Sequence, residues 1–159
     1  MQSVMTRTAT LRAPSGSMTD VFACARAQIY YNIKRKPLAQ VKRETGCSHI
    51  INGYLFNGSF QPVGWTVIDG KVISRDAYQD WGISIGSDGK PQMLTDRGGS
   101  FLSGVPLLKN GAKLERSLTP DVARSAARTA VGWMPDGRIC LWCDKTSLTR
   151  EQLQNKLLG

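Results

Sequence analysis

The chain has 159 residues, 41% hydrophobic and 21% charged, a composition that excludes a disordered polar chain and suits one ordinary domain. No apolar run approaches the roughly 20 residues that span a bilayer, so no membrane partner is expected. Twenty-one Lys and Arg against twelve acids leave a formal net charge of +9, which points to anionic partners such as phosphate, nucleotide or nucleic acid.

Residues 1–19 are polar, with Pro14 and Gly16 near their end, and are expected to form a mobile arm or a poorly placed edge strand. They lack the continuous apolar centre of a secretory signal, so a cytoplasmic protein is expected. Residues 20–159 are expected to form a single domain. Val21 to Tyr31 carries strand-forming residues. Pro37 to Thr45 predicts a short helix, opened by proline and stopped by Gly46. Ser48 to Ile51 then reads as a strand that runs into Asn52-Gly53.

Beyond that tip the chain is punctuated by Asn57-Gly58, Asp69-Gly70, Asp88-Gly89, Asn110-Gly111 and Asp136-Gly137. The β-rich pieces between them include Trp65 to Ile68, Gly82 to Ile85 and Arg138 to Cys143. This is the pattern of tight hairpins between antiparallel strands. Thr149 with Gln152 opens a final helix as a capping box, and Leu153, Leu157 and Leu158 supply its apolar face. The fold class is therefore α+β: a mainly antiparallel β-sheet with a few helices packed on it.

Cys140 and Cys143 scan as C-x-x-C, but on a strand residues three apart face opposite sides. No second pair has ligand spacing and His49 is the sole histidine. Buried thiols are expected here, not a metal site. No cofactor is implied. A divalent ion stays open, because oxygen ligands leave no comparable spacing signature. The basic residues cluster at Lys34-Arg35-Lys36 and Lys42-Arg43, with adjacent aromatics only at Tyr30-Tyr31. Nucleic acid therefore ranks behind a small anionic ligand as the expected partner. A homo-oligomer is plausible at this size.

Asn52-Gly53-Tyr54 places an amide side chain at the tip of an apolar strand, where glycine lets the backbone approach a ligand closely. Ile51-Asn52-Gly53-Tyr54-Leu55-Phe56 is similar to the strand-end motif I-N-G-G-Y-F of the phosphodiester glycosidase family. Gly64 to Lys71 resembles that family's G-x-x-x-x-D-G-K hairpin, and Ser103 to Gly111 its S/G-G-x-P-L-L-x-N-G turn. Arg128-Thr129-Ala130-Val131-Gly132 with Asp136-Gly137-Arg138 resembles its R-T-A-V-G-x-x-x-D-G-R strand. The resemblance runs in order over about residues 40–158. It departs at Tyr54-Leu55, where the family has a second glycine, and at Asp144-Lys145-Thr146-Ser147, where the family's loop contains glycine.

The resemblance implies cleavage of a sugar C1–O bond with phosphate as leaving group. Such a site needs a cation on the phosphate and a carboxylate to activate water or steady an oxocarbenium ion. Arg128 is the expected phosphate-holding cation. Asp69, Asp88 and Asp136 sit in turns that use their side chains. Asp20, Asp121 and Glu151 lie near expected helix starts. Of the remaining Glu44, Asp76, Asp80, Asp96, Glu115 and Asp144, Asp144 matches the family's strand-end acid and Glu44 is the second candidate.

Asn52 and Gly53, Ser103 and Gly104, Thr129 and His49 are the expected substrate contacts: amide, backbone cup, hydroxyl and general acid–base in turn. The leading expectation is a hydrolase acting on a glycosyl or nucleotide-sugar phosphodiester. The alternative is a binder that holds a nucleotide-derived or other anionic phosphodiester intact. Nucleic-acid binding through Lys34 to Arg43 comes third.

Overall fold

Short β-branched segments broken by Asp-Gly and Asn-Gly pairs become short strands, as a computed structural model of the chain lays them out. It describes residues 2–7, 10–11, 19–53, 56–75, 81–92, 99–118 and 120–159. In chain order these form β1 (Gln2–Arg7), β2 (Thr10–Leu11), β3 (Thr19–Cys24), β4 (Arg26–Tyr31), α1 (Leu38–Thr45) and β5 (His49–Asn52). There follow β6 (Trp65–Ile68), β7 (Lys71–Arg75), β8 (Gly82–Ile85), β9 (Pro91–Gln92) and β10 (Ser100–Ser103). The chain ends with β11 (Leu108–Lys109), β12 (Ala112–Lys113), a single turn α2 (Pro120–Ala123), β13 (Ala126–Trp133), β14 (Ile139–Leu148) and α3 (Arg150–Leu158).

Every strand pairing is antiparallel. The sheets run β4-β1-β5, β7-β6-β10-β8-β9, β11-β12 and β13-β14-β3-β2. Asp69-Gly70 and Asn110-Gly111 turn their hairpins with positive φ at both residues, the geometry that matches strand twist. One core joins the three larger sheets: Ala27 and Ile29 from β4, Ile51, Ile83 and Ile85, Leu102, and Ile139 with Leu141 from β14. Among the described residues no helix is long and apolar enough to cross a membrane.

The strand period explains how β14 serves two layers. Ile139 and Leu141 face the central core, while Trp142 and Leu148 pack with Leu153 beneath α3. Asp144 lies on the second face with them. Thr149 and Gln152 form the expected capping box, so α3 starts where its hydrogen bonding predicts. Leu158, expected on its apolar face, is instead exposed, and Gln154 is fully buried, donating to the carbonyls of Leu107 (2.8 Å) and Leu114 (3.1 Å). α1 ends at Gly46, whose φ of 66° is left-handed. Val41 and Cys47 bury beneath it with Tyr30 and Ile50.

Two expectations change. Residues 2–7 are not a loose arm or an edge: β1 is the middle strand of its sheet, bonded to β4 on one side and β5 on the other. Its own composition is weakly β-forming, and pairing at two strand edges decides the matter. Asp20, expected near a helix start, lies within β3 opposite Cys143.

Candidate functional site

Arg128 and Asp144 are direct cross-strand partners in the β13–β14 pair, which puts both side chains on one face of that sheet. Arg128 is inside β13, and Asp144, expected at a strand end, is instead in the middle of β14, which continues to Leu148. The strand runs on because Thr146 is β-branched and Leu148 buries.

Asp144 is a buried hub. Its residue is 1% exposed, and its two oxygens accept four hydrogen bonds. Thr19 Oγ1 (2.7 Å) and Lys156 Nζ (2.6 Å) donate to Oδ2. The Thr146 amide (2.8 Å) and Thr146 Oγ1 (2.5 Å) donate to Oδ1. Burial by itself would push this carboxyl up, but the bonds from Lys156, Thr146 and Thr19 outweigh it and hold the group far below the usual carboxylate range. A carboxylate so acidic and so fully bonded is a poor proton acceptor, and in this arrangement it ties β3, β14 and α3 together.

Arg128 is also engaged. Its guanidinium donates to the Arg124 carbonyl, just after α2, and through Nε to the Leu148 carbonyl at 3.4 Å. Burial, then repulsion from Arg124, lowers its affinity for the proton. Thr129 is the next residue along β13 and faces the opposite side, across from Cys143. Its hydroxyl, expected as a substrate contact, is therefore not on the face that carries Arg128 and Asp144. Glu44 lies on the open surface of α1, accepting from Lys36 Nζ and from Gln40 Nε2 (2.9 Å). Those bonds hold its carboxyl below the usual range.

The other expected contacts belong to different sheets. Asn52 ends β5, exposed, with Nδ2 donating to the Gly53 carbonyl at 3.3 Å. Ser103 ends β10, 1% exposed, its Oγ lacking a hydrogen-bond partner. Gly104 does not offer a free amide to phosphate, because its N–H donates to the Trp81 carbonyl at 2.8 Å. Tyr54 and Leu55, and the acids Asp76, Asp80 and Asp96, lie outside the described residues, as does the side chain of Asp121. Cys140 and Cys143 are free thiols whose proton affinity burial raises.

A different cluster surrounds His49. A shallow pocket of about 270 Å³, wide open to solvent, is lined by Leu38, Ala39, Lys42, Ser48, His49 and Ile50, between α1 and the start of β5. Residues 38, 39 and 42 share one face of α1. That helix has no side-chain N-cap and no acid in its first turn, so its own sequence supplies no acid to offset the positive end of its dipole. The His49 ring stacks on Phe22 with centroids 4.0 Å apart. Its Nδ1 is buried with no hydrogen-bond partner. Burial, then the charge of Lys42, lowers the His49 pKa, so the ring is neutral at physiological pH. Lys42 makes no ion pair among the described residues. An ammonium, a hydroxyl and a neutral imidazole around an apolar floor can hold one anionic group. Sequence reading singled out His49 and placed Lys42 in a basic cluster, but joined neither to the other nor to Ser48. The i, i+4 spacing of Leu38 and Lys42 was the available signal.

The chain matches no family model and no curated protein.

Proposed function

We propose that this chain captures a small anionic phosphodiester or nucleotide-like ligand and holds it intact. The observation that carries this reading is Lys42, without an ion pair among the described residues, at the pocket beside Ser48 and the neutral His49. Lysine is a compact point charge suited to phosphate oxygens, and the seryl hydroxyl can donate to another. The volume falls below the ~300–1,000 Å³ of drug-sized sites, which suits a phosphate and part of its substituent. The saturation of Asp144 speaks for retention over cleavage, since the acid singled out by the resemblance has no free lone pair to offer water.

Calorimetry against a panel of glycosyl phosphodiesters, followed by mass spectrometry of the recovered ligand, tests this. Saturable binding with unchanged ligand is expected, and Lys42→Ala should weaken it about tenfold, the loss of one charge-assisted hydrogen bond. Release of sugar or phosphate on turnover would instead favour hydrolysis.

One observation supports that second reading: Arg128 and Asp144 share a face of β13–β14. It requires Lys156 to let go of the carboxylate. On that reading Arg128→Ala loses turnover by several orders of magnitude while the fold survives, and Lys156→Met raises it.

A further inference from the structure

Two exposed loops, remote in sequence, meet on one surface. Phe56 and Phe60 stack with ring centroids 5.4 Å apart and planes 13° from parallel. The Arg35 guanidinium carbon lies 4.2 Å from the centre of the Phe60 ring. All this is open to water: Phe56 is 44% exposed, Phe60 41%, and Ile33, which shortly precedes Arg35 in the chain, 68%. Among the described residues, four without glycine's freedom take a positive φ. Asp69 and Asn110 do so in Asp-Gly and Asn-Gly hairpin turns, where such residues belong. The other two are Arg35 (φ 51°) and Phe60 (φ 61°), the two partners of this contact. A bulky residue in left-handed backbone is strained, and strain of this kind gathers at functional surfaces.

Each loop is held by an asparagine. The buried Asn32 bonds Lys36 twice, through the amide N–H (2.9 Å) and the carbonyl (2.7 Å). Asn57 Oδ1 accepts from the amides of Ser59 (2.9 Å) and Gln61 (3.0 Å). The rings and guanidinium are thus presented on fixed backbone, with little ordering left for a partner to impose. The charge is one-sided: residues 33–45 carry the five cations Lys34, Arg35, Lys36, Lys42 and Arg43 against the single acid Glu44. Lys34 and Arg35 make no ion pair among the described residues.

We propose that Arg35, Phe60 and Phe56 form a stacking platform for the bases of single-stranded nucleic acid, with Lys34 and Arg35 on its phosphates. Solvent-exposed aromatic rings beside cations that make no ion pair among the described residues are what sequence-tolerant strand binding requires. A second copy of this chain would bring like charges together, which disfavours that occupant. Arg35, Phe56, Phe60 and Lys34 are not among the residues that line the α1 pocket.

Fluorescence anisotropy of a labelled oligothymidine of about fifteen nucleotides with the full chain tests the proposal. Affinity should fall steeply between about 50 and 200 mM salt. Phe56→Ala and Phe60→Ala should each weaken binding about tenfold with the salt slope unchanged, and Phe56→Trp should restore it. Arg35→Ala should lower the slope of log affinity on log salt by about 0.7. An abasic strand of equal length, which needs no variant to fold, should bind about tenfold more weakly than the oligothymidine. No binding, equal affinity for the abasic strand, or unaltered affinity in both alanine variants would overturn the proposal. So would self-association of the wild type that Phe56→Ala abolishes in sedimentation.

Discussion

Two helices each bring a lysine to a polar residue of the strand beneath, with opposite results. α3 places Lys156 Nζ 2.6 Å from Asp144, whose side chain has no solvent exposure. The carboxylate fills its remaining capacity with Thr19 and Thr146. α1 places Lys42 near His49, a pair that repels when both are charged, and the two residues line a cavity instead of closing it. Residue type alone does not separate these regions, since each pairs a titratable group with a cation. Bonding capacity does. A polar group satisfied from within holds the fold together, while one left unsatisfied beside a cavity has something to offer a ligand.

The sharpest way to break this comparison is Asp144→Ala. It leaves Thr19 and the Thr146 groups without their acceptor, while the half-exposed Lys156 can turn to water, and should lower stability by about 2 kcal/mol in urea denaturation. A loss below about 0.5 kcal/mol would place the residue among ordinary surface positions. Next in size is the acid limb of stability. The carboxyl of Asp144 is depressed in the folded chain, so the unfolded chain takes up the proton first. Its contribution is therefore complete above the ordinary aspartate value of about 3.9 and is lost as pH falls below it. Urea midpoints measured down through that range should drop steeply for the wild type and more gently for Asp144→Asn. Parallel curves would sever the link to this carboxyl.

The smallest effect is the cleanest to observe. His49 is the sole histidine, so one imidazole signal in NMR reports the α1 cavity. It should titrate below 6.5, the ordinary value. Lys42→Ala should move it upward by removing a like charge, and inorganic phosphate should move it upward by adding an opposite one. A midpoint at or above 6.5, indifferent to both, would remove the electrostatic distinction between the two helices.

Much of the architecture was legible in the chain. The hairpins at Asp69-Gly70, Asp88-Gly89, Asn110-Gly111 and Asp136-Gly137, the helix from Leu38 to the Gly46 stop, and the Thr149 capping box all rest on local backbone chemistry. A turn residue or a cap acts within a few positions of itself. The middle-strand place of β1 was not legible, because it depends on two edges, β4 and β5, supplied from later in the chain. The site was read less well for the same reason. Asp144 looked like a strand-end acid until its strand proved to continue. Its lysine comes from α3, twelve residues on, and its threonine from β3, 125 residues away.

By itself, the order of residues determined the α+β class, the hairpin rhythm, the helix ends and the excess of positive charge, since each follows from short-range sterics, hydrogen bonding or simple summation. Only the tertiary structure decided which charges are spent and which remain. Whether Asp144 meets Lys156, Lys42 meets a partner, or Arg35 lies over Phe60 is set by distances between remote segments, and those distances exist only once the sheets have packed.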